Sequence, residues 1–229
     1  MVWDGVYGLE DFDVTPAGKF LLKDGVATNG ADRATIQPGD IKYVDQNGDG
    51  IVNDSDMVVI GRCAPIHTGG LNNNFTWKGW NLNVFFQWSY GNDIMNANRI
   101  FMEGNYANKN INQFASYKDH WTFDNQDSKN FRPGGQGPRG IYSSRTIEDG
   151  SFLRLKTVQL SYTLPRKISA ALGLEAVTFN ISGQNLWTLT RYSGLDPEVS
   201  TRHTTLTPGF DYSAYARNRV FSTGVNITF

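Results

Sequence analysis

The stretch Trp80–Tyr90, WNLNVFFQWSY, constrains the fold more than any other part of the chain. Its even positions are Trp80, Leu82, Val84, Phe86, Trp88 and Tyr90, and its odd positions are Asn81, Asn83, Phe85, Gln87 and Ser89. Successive side chains of a strand point to opposite faces, so this period-two pattern predicts a strand with one apolar and one polar face, broken only at Phe85. The pattern recurs four times. Leu71, Phe75 and Trp77 oppose Asn72, Asn74 and Thr76, and Val158, Leu160, Tyr162 and Leu164 oppose Thr157, Gln159, Ser161 and Thr163. Val177, Phe179 and Ile181 alternate with Thr178, Asn180 and Ser182, and Phe221, Thr223, Val225, Ile227 and Phe229 with Ser222, Gly224, Asn226 and Thr228.

Composition agrees with strands and polar loops. Of the 229 residues 19% are charged, 13% are aromatic and 24 are Gly. A net charge of −1 gives no electrostatic case for nucleic acid. The single Cys63 excludes an intrachain disulfide and a Cys-based zinc site, and it reads as a partly buried thiol. The opening MVWDGVYGLEDF has neither the basic nor the apolar region of a signal peptide. No apolar run of about 18 residues is present, so no transmembrane helix is expected; a membrane β-barrel leaves no such run.

Two architectures fit the alternation. A soluble β-sandwich also alternates. Three features point instead to a membrane barrel. Aromatics gather near strand ends on the apolar faces (Trp77, Trp80, Trp88, Tyr90, Tyr162, Phe229). The polar faces carry amides and hydroxyls with almost no charge, as a wet lumen would. Connections alternate between tight, at Lys78-Gly79, and long, after Tyr90 and before Phe221. Five strands cannot close such a barrel, whose minimum is about 8 strands, so this sequence would be a C-terminal piece of one.

The stretch Asp45–Asp56, DQNGDGIVNDSD, has the spacing of a calcium loop. Asp45, Asn47, Asp49, Ile51 through its carbonyl, Asn53 and Asp56 fall at the ligand positions, with Gly50 at the turn. No paired helices are expected around it, so a structural clip fits better than a sensor, and calcium is the one cofactor the sequence suggests. Trp121, Phe123 and Phe131, set among amides and glycines, could stack on a sugar or peptide or could pack together. Gly135–Gly140 matches G-x-G-x-x-G, but Pro138 lies inside it and no strand precedes it, so it reads as a loop. His67, His120 and His203 are scattered, and the adjacent pairs Glu10-Asp11 and Glu148-Asp149 point apart on an extended chain. Three glycosylation sequons fall inside expected strands and read as chance. No catalytic residue is expected.

Four stretches in order, PGDIKYVDQNGDGIVNDSDMVVIG, GGLNNNFTWKGWNLNVFFQWSYGNDI, GSFLRLKTVQLSYTLPRKI and ISGQNLWTLTRYSGLDPE, with the closing GVNITF, resemble the C-terminal part of SusC/RagA-family TonB-linked outer-membrane transporters. The resemblance implies an all-β fold: an antiparallel meander forming the C-terminal portion of a large outer-membrane β-barrel, incomplete here, with long extracellular loops. Residues 1–66 would be an extracellular loop region carrying the calcium-like motif, near where a lid docks, and 67–229 the barrel strands and loops. The family implies a plugged 22-stranded barrel in the outer membrane of a Bacteroidetes-type bacterium. It also implies import of glycans, oligosaccharides or peptides, a SusD-like surface lipoprotein as lid, and TonB acting through an N-terminal region outside this sequence. Asn81, Asn83, Gln87 and Asn180 would line the lumen, with Trp121 and Phe123 on a substrate-facing loop. The alternatives that stay open are a secreted, calcium-stabilised carbohydrate-binding sandwich and a calcium-dependent glycan hydrolase.

Overall fold

The computed structural model describes residues 1–229 except 104–109, 111, 139–141 and 202–206. The chain divides into two compact units that interleave in sequence. Met1–Arg62, Met95–Glu148 and Phe210–Ser213 form the first; Cys63–Ile94, Asp149–Gly209 and Ala214–Phe229 form the second. Residues 95–148, which the sequence reading grouped with the strands, therefore associate with the N-terminal residues.

The elements run β1 (Trp3–Val6), β2 (Phe12–Val14), β3 (Phe20–Leu22), β4 (Ile41–Tyr43), β5 (His67–Trp77), β6 (Trp80–Tyr90), β7 (Asp93–Asn96), α1 (Asn98–Met102), β8 (Ile147–Asp149), β9 (Phe152–Thr163), α2 (Arg166–Ala171), β10 (Ala176–Thr190), β11 (Phe210–Asp211) and β12 (Val220–Thr228). In the first unit β1 pairs with β4 and β2 with β3. Two apolar clusters hold it. Met1, Ile41, Tyr43, Val52 and Phe131 make one; Tyr7, Phe12, Leu22 and Ile36 make the other. Sequence periodicity misses these strands because each has only three or four residues, too few to show alternation.

The second unit is one antiparallel five-stranded sheet in the order β12-β10-β9-β6-β5, a meander. All five expected strands are present. The β5–β6 register runs unbroken from His67↔Tyr90 to Trp77↔Trp80. The two-residue turn between them puts Lys78 at φ 43° and Gly79 at φ 88°, the left-handed pair whose twist matches a hairpin. The Lys78-Gly79 turn and the 164–175 connection holding α2 lie at one end of the sheet, together with the end of β12; the connections 91–151 and 191–219 leave from the other.

Register turns the alternation into rows across the sheet. Val225, Phe179, Tyr162, Trp80 and Trp77 form one apolar row; Ile181, Leu160, Leu82 and Phe75 lie in the next. Most of these side chains stay in solvent: Phe75 is 61% exposed, Trp77 66% and Ile181 51%, while Leu82, Leu160 and Tyr162 on the central strands are half-buried. A sandwich needs a second sheet packed about 10 Å away on that face. Among the described residues the only buried apolar side chains on these five strands are Phe152 and Val177. No helix among the described residues is long and apolar enough to cross a membrane, which says nothing about strands. Cys63 is exposed rather than partly buried.

Candidate functional site

The polar face of the five-stranded sheet is the candidate site. Asn180, Ser161, Asn81 and Thr76 form one row across β10, β9, β6 and β5, and Ser182, Gln159, Asn83 and Asn74 the next. The expected lining residues Asn81, Asn83, Gln87 and Asn180 thus share one face. Amides link neighbouring strands along it: Asn81 Nδ2 donates to Thr76 Oγ1 at 2.9 Å and Asn83 Nδ2 to Asn72 Oδ1 at 2.9 Å. Phe85, the exception in the alternation, has a local reason. Its ring lies over Gly70, where a Cβ would come within 2.8 Å of it, so an aromatic covers backbone that a glycine leaves bare.

Beyond the amide rows the sheet carries charge that the sequence reading missed. Arg154 is 2% exposed and pairs in register with Gln87 on one side and Thr188 on the other. Its guanidinium binds Asp196 at 2.8 Å and Glu198 at 2.5 Å, with Lys156 and Arg217 also on Glu198. Unbroken alternation from Val158 would put Arg154 on the apolar face. A bulge prevents this: Phe85 pairs with Thr157 but Phe86 with Leu155, leaving Lys156 as an extra residue that flips the parity of β9. A cavity of about 640 Å³ opens beside this cluster, lined among others by Thr68, Phe85, Gln87, Ser89, Phe152 and Glu198.

The loop Asp45–Asp56 belongs to the first unit, and its oxygens are turned to its own backbone. Asp45 accepts the N–H groups of Gly48 and Gly50, both at 2.8 Å, and Asn47 and Asp49 accept those two residues ahead. Asn53 accepts the Ser55 N–H and donates to the Ile51 carbonyl. Asp56 is 0% exposed and accepts from Asn53 N at 2.7 Å and Gln46 N at 2.8 Å. The Asn53 amide first, with those of Gln46 and Asn47, holds the Asp56 carboxyl below its ordinary range, against the opposing effect of burial. Among the described residues no three His, Cys, Asp or Glu side chains gather as a metal cluster. The spacing therefore has an account that requires no ion: a chain of side-chain-capped turns.

The aromatic loop is split by packing. Trp121 is 3% exposed, its indole against Gly39, where a Cβ would come within 2.4 Å; φ there is 83°. Trp121 is thus a core side chain, and Phe131 joins the core cluster. Phe123 stays exposed and stacks on Phe20 at 6.1 Å. His67 stacks on Tyr90 in the second unit and His120 on Tyr117 in the first. His203 and the residues 139–140 of the glycine motif lie outside the described residues.

No protein-family model matches the chain. Curated relatives do. "TonB-dependent receptor P3" of Formosa agariphila is 33% identical over 97% of this chain, "TonB-dependent receptor P26" of the same organism 33% over 83%, and "TonB-dependent receptor SusC" of Bacteroides thetaiotaomicron 23% over 84%. The chain spans only 22%, 20% and 18% of their lengths. Among solved structures, the RagAB peptide importer in its "open-open" state matches all of this chain and 22% of its own, with TM-score 0.70 and 22% identity; in its "closed-closed" state the TM-score is 0.68. The exposed apolar rows, the five-stranded meander and these matches agree: over nearly its whole length the chain is similar to a segment, about a fifth of the full length, of TonB-dependent receptors, SusC among them, and it shares the fold of part of the RagAB importer.

Proposed function

We propose that this chain is the C-terminal barrel portion of an outer-membrane importer, its apolar rows facing lipid and its amide face lining the lumen. The observation that carries the reading is the inverted sheet: large apolar and aromatic side chains are exposed on one face while amides pair across the other. The dimensions agree. From Trp80 to Tyr90 a strand rises about 33 Å, and a tilt of roughly 40° reduces this to about 25 Å, the height of a barrel's apolar band. Trp80 against Tyr162, centroids 4.5 Å apart, and His67 against Tyr90 mark its two edges.

In this reading the ends at Lys78-Gly79 and α2 face the periplasm, and the long connections face outward. The parent protein takes up glycans, oligosaccharides or peptides under a SusD-like surface lipoprotein, with TonB supplying the force. The RagAB neighbours are named as peptide importers, which supports a peptide-sized lumen. Fractionation of the natively expressed protein with and without detergent, followed by heat-modifiable gel mobility, tests the reading. Detergent-dependent solubility with a heat shift is expected. A monodisperse water-soluble monomer would overturn the barrel and favour the carbohydrate-binding sandwich.

A further inference from the structure

The segment after β10 does not run away from the sheet. It leaves at Thr190, yet by Asp196 it has returned to Arg154, whose register partner on β10 is Thr188. Residues 191–198 therefore double back over the polar face. Arg154 engages all three arms of its fork: Nε donates to Thr188 Oγ1 at 3.0 Å, Nη1 to Glu198 Oε2 at 2.5 Å and Nη2 to Asp196 Oδ1 at 2.8 Å. Gln87 Nε2 donates to Glu198 Oε1 at 3.1 Å, and the Glu198 N–H to Asp196 Oδ1 at 2.8 Å. The doubled-back stretch walls the 640 Å³ cavity through Pro197–Ser200, and a second cavity of about 280 Å³ adjoins Leu195 and Asp196.

We propose that residues 191–200 are an inward strap that narrows the lumen at the long-connection end, and that the buried Arg154 fork is its latch. The strap thereby limits the bulk of substrate that passes; this part rests on the importer reading of the polar face as lumen. The planar guanidinium matches two carboxylates in one fixed arrangement, so the latch is specific in geometry as well as charge. A buried arginine that loses its acids is left uncompensated, so the strap is either gripped or released rather than graded between.

Cys63 supplies a reporter. It is the only cysteine of the chain, is exposed, and lines the same cavity as Pro197–Ser200. In the full-length protein in bilayers, with any cysteine outside residues 1–229 replaced, spin labels on Cys63 and on Val199→Cys read the strap's position. One narrow distance is expected with Arg154 intact. Arg154→Met should broaden it and, with Cys63 alone, raise labelling by a polymer-bearing maleimide about tenfold, leaving a small maleimide's rate unchanged. Arg154→Lys, which keeps the charge but loses the fork, should show a mixture of the gripped and released populations rather than an intermediate distance. An unchanged distance and labelling ratio in Arg154→Met overturns the latch. Should that variant lose heat-modifiable mobility, and so not assemble, Glu198→Gln carries the same test with the Arg154–Asp196 pair kept. Quenching of tryptophan by brominated lipid in the same samples judges the lumen reading separately: no quenching ends that reading, whatever the latch result.

Discussion

The two units of this chain handle apolar side chains in opposite ways. In the first, Tyr7, Leu22, Ile36, Ile41 and Val52 are at most 1% exposed, and short strands exist because those side chains have a core to enter. In the second, strands of 9 to 15 residues hold their apolar side chains in the open, and backbone pairing with cross-strand amides makes up the interior order. The difference teaches that "inside" is defined by the solvent. On the importer reading, the first unit faces water and hides its apolar surface within itself, whereas the sheet leaves its own for the bilayer to cover.

The largest expected effect breaks the first unit. Leu22→Ala removes a fully buried side chain and should destabilise that unit by about 2–5 kcal/mol, equally in detergent and in bilayers. Chemical denaturation followed by hydrogen exchange within residues 1–62 measures it. The matching break in the sheet depends on solvent. Leu82→Arg puts a charge on the apolar row between Leu160 and Phe75, part-way from the band's edge to its middle, and should cost about 1–2 kcal/mol for folding into bilayers. Asn83→Arg, one residue on and facing the other way, should show no comparable loss. Equal losses from the two arginines would remove the distinction between the faces and with it the barrel.

A smaller effect separates the turn account of Asp45–Asp56 from a cation site. Amide donors lower the Asp56 carboxyl from its ordinary 3.8, so its contribution is complete above that value. As pH falls below about 4 and passes the lowered native value, protonation removes it. Hydrogen-exchange protection of residues 45–56 should therefore hold from pH 7 to near 4.5 and fall below, while an Asp56→Asn variant should be weaker throughout and flatter. Added calcium should change neither. Calcium-dependent protection from protease that Asp45→Ala and Asp49→Ala abolish would instead reinstate the ion.

The sheet was legible in the sequence because period-two alternation sustained over nine or more residues arises from little besides a two-faced strand. All five strands, their faces and the shared polar face of Asn81, Asn83, Gln87 and Asn180 follow from it. What stayed hidden had local causes. Arg154 was invisible because one extra residue, Lys156, reverses the parity on which the reading depends. Its partners Asp196 and Glu198 lie more than 40 residues away, and no periodicity announces a strap that folds back. Trp121 carried the composition of a binding loop, but its indole found Gly39, a contact between residues 82 apart. The first unit leaves little trace in the sequence because its strands are short and its core draws on two distant parts of the chain.

The smallest effect sharpens the comparison at the sheet's edge. Lys78 holds φ at 43°, a conformation that costs an ordinary residue about 1–2 kcal/mol and that Asn tolerates better. On turn chemistry alone, Lys78→Asn should stabilise the β5–β6 hairpin by about 0.5–1 kcal/mol in any solvent. Lys78 also places Nζ 5.0 Å from the Trp77 ring centroid, a contact worth about 0.5–1 kcal/mol at an exposed site and more where water is scarce. If this edge lies at a membrane interface, the ammonium reaches the headgroups while its stem covers Trp77, and the substitution forfeits that anchoring. Lys78→Asn should then be neutral to mildly stabilising in detergent micelles and destabilising in bilayers, measured as hairpin protection in each. The same sign in both media would mean that Trp77 and Lys78 meet no interface. The hairpin end would then be an ordinary water-facing turn, like those of the first unit.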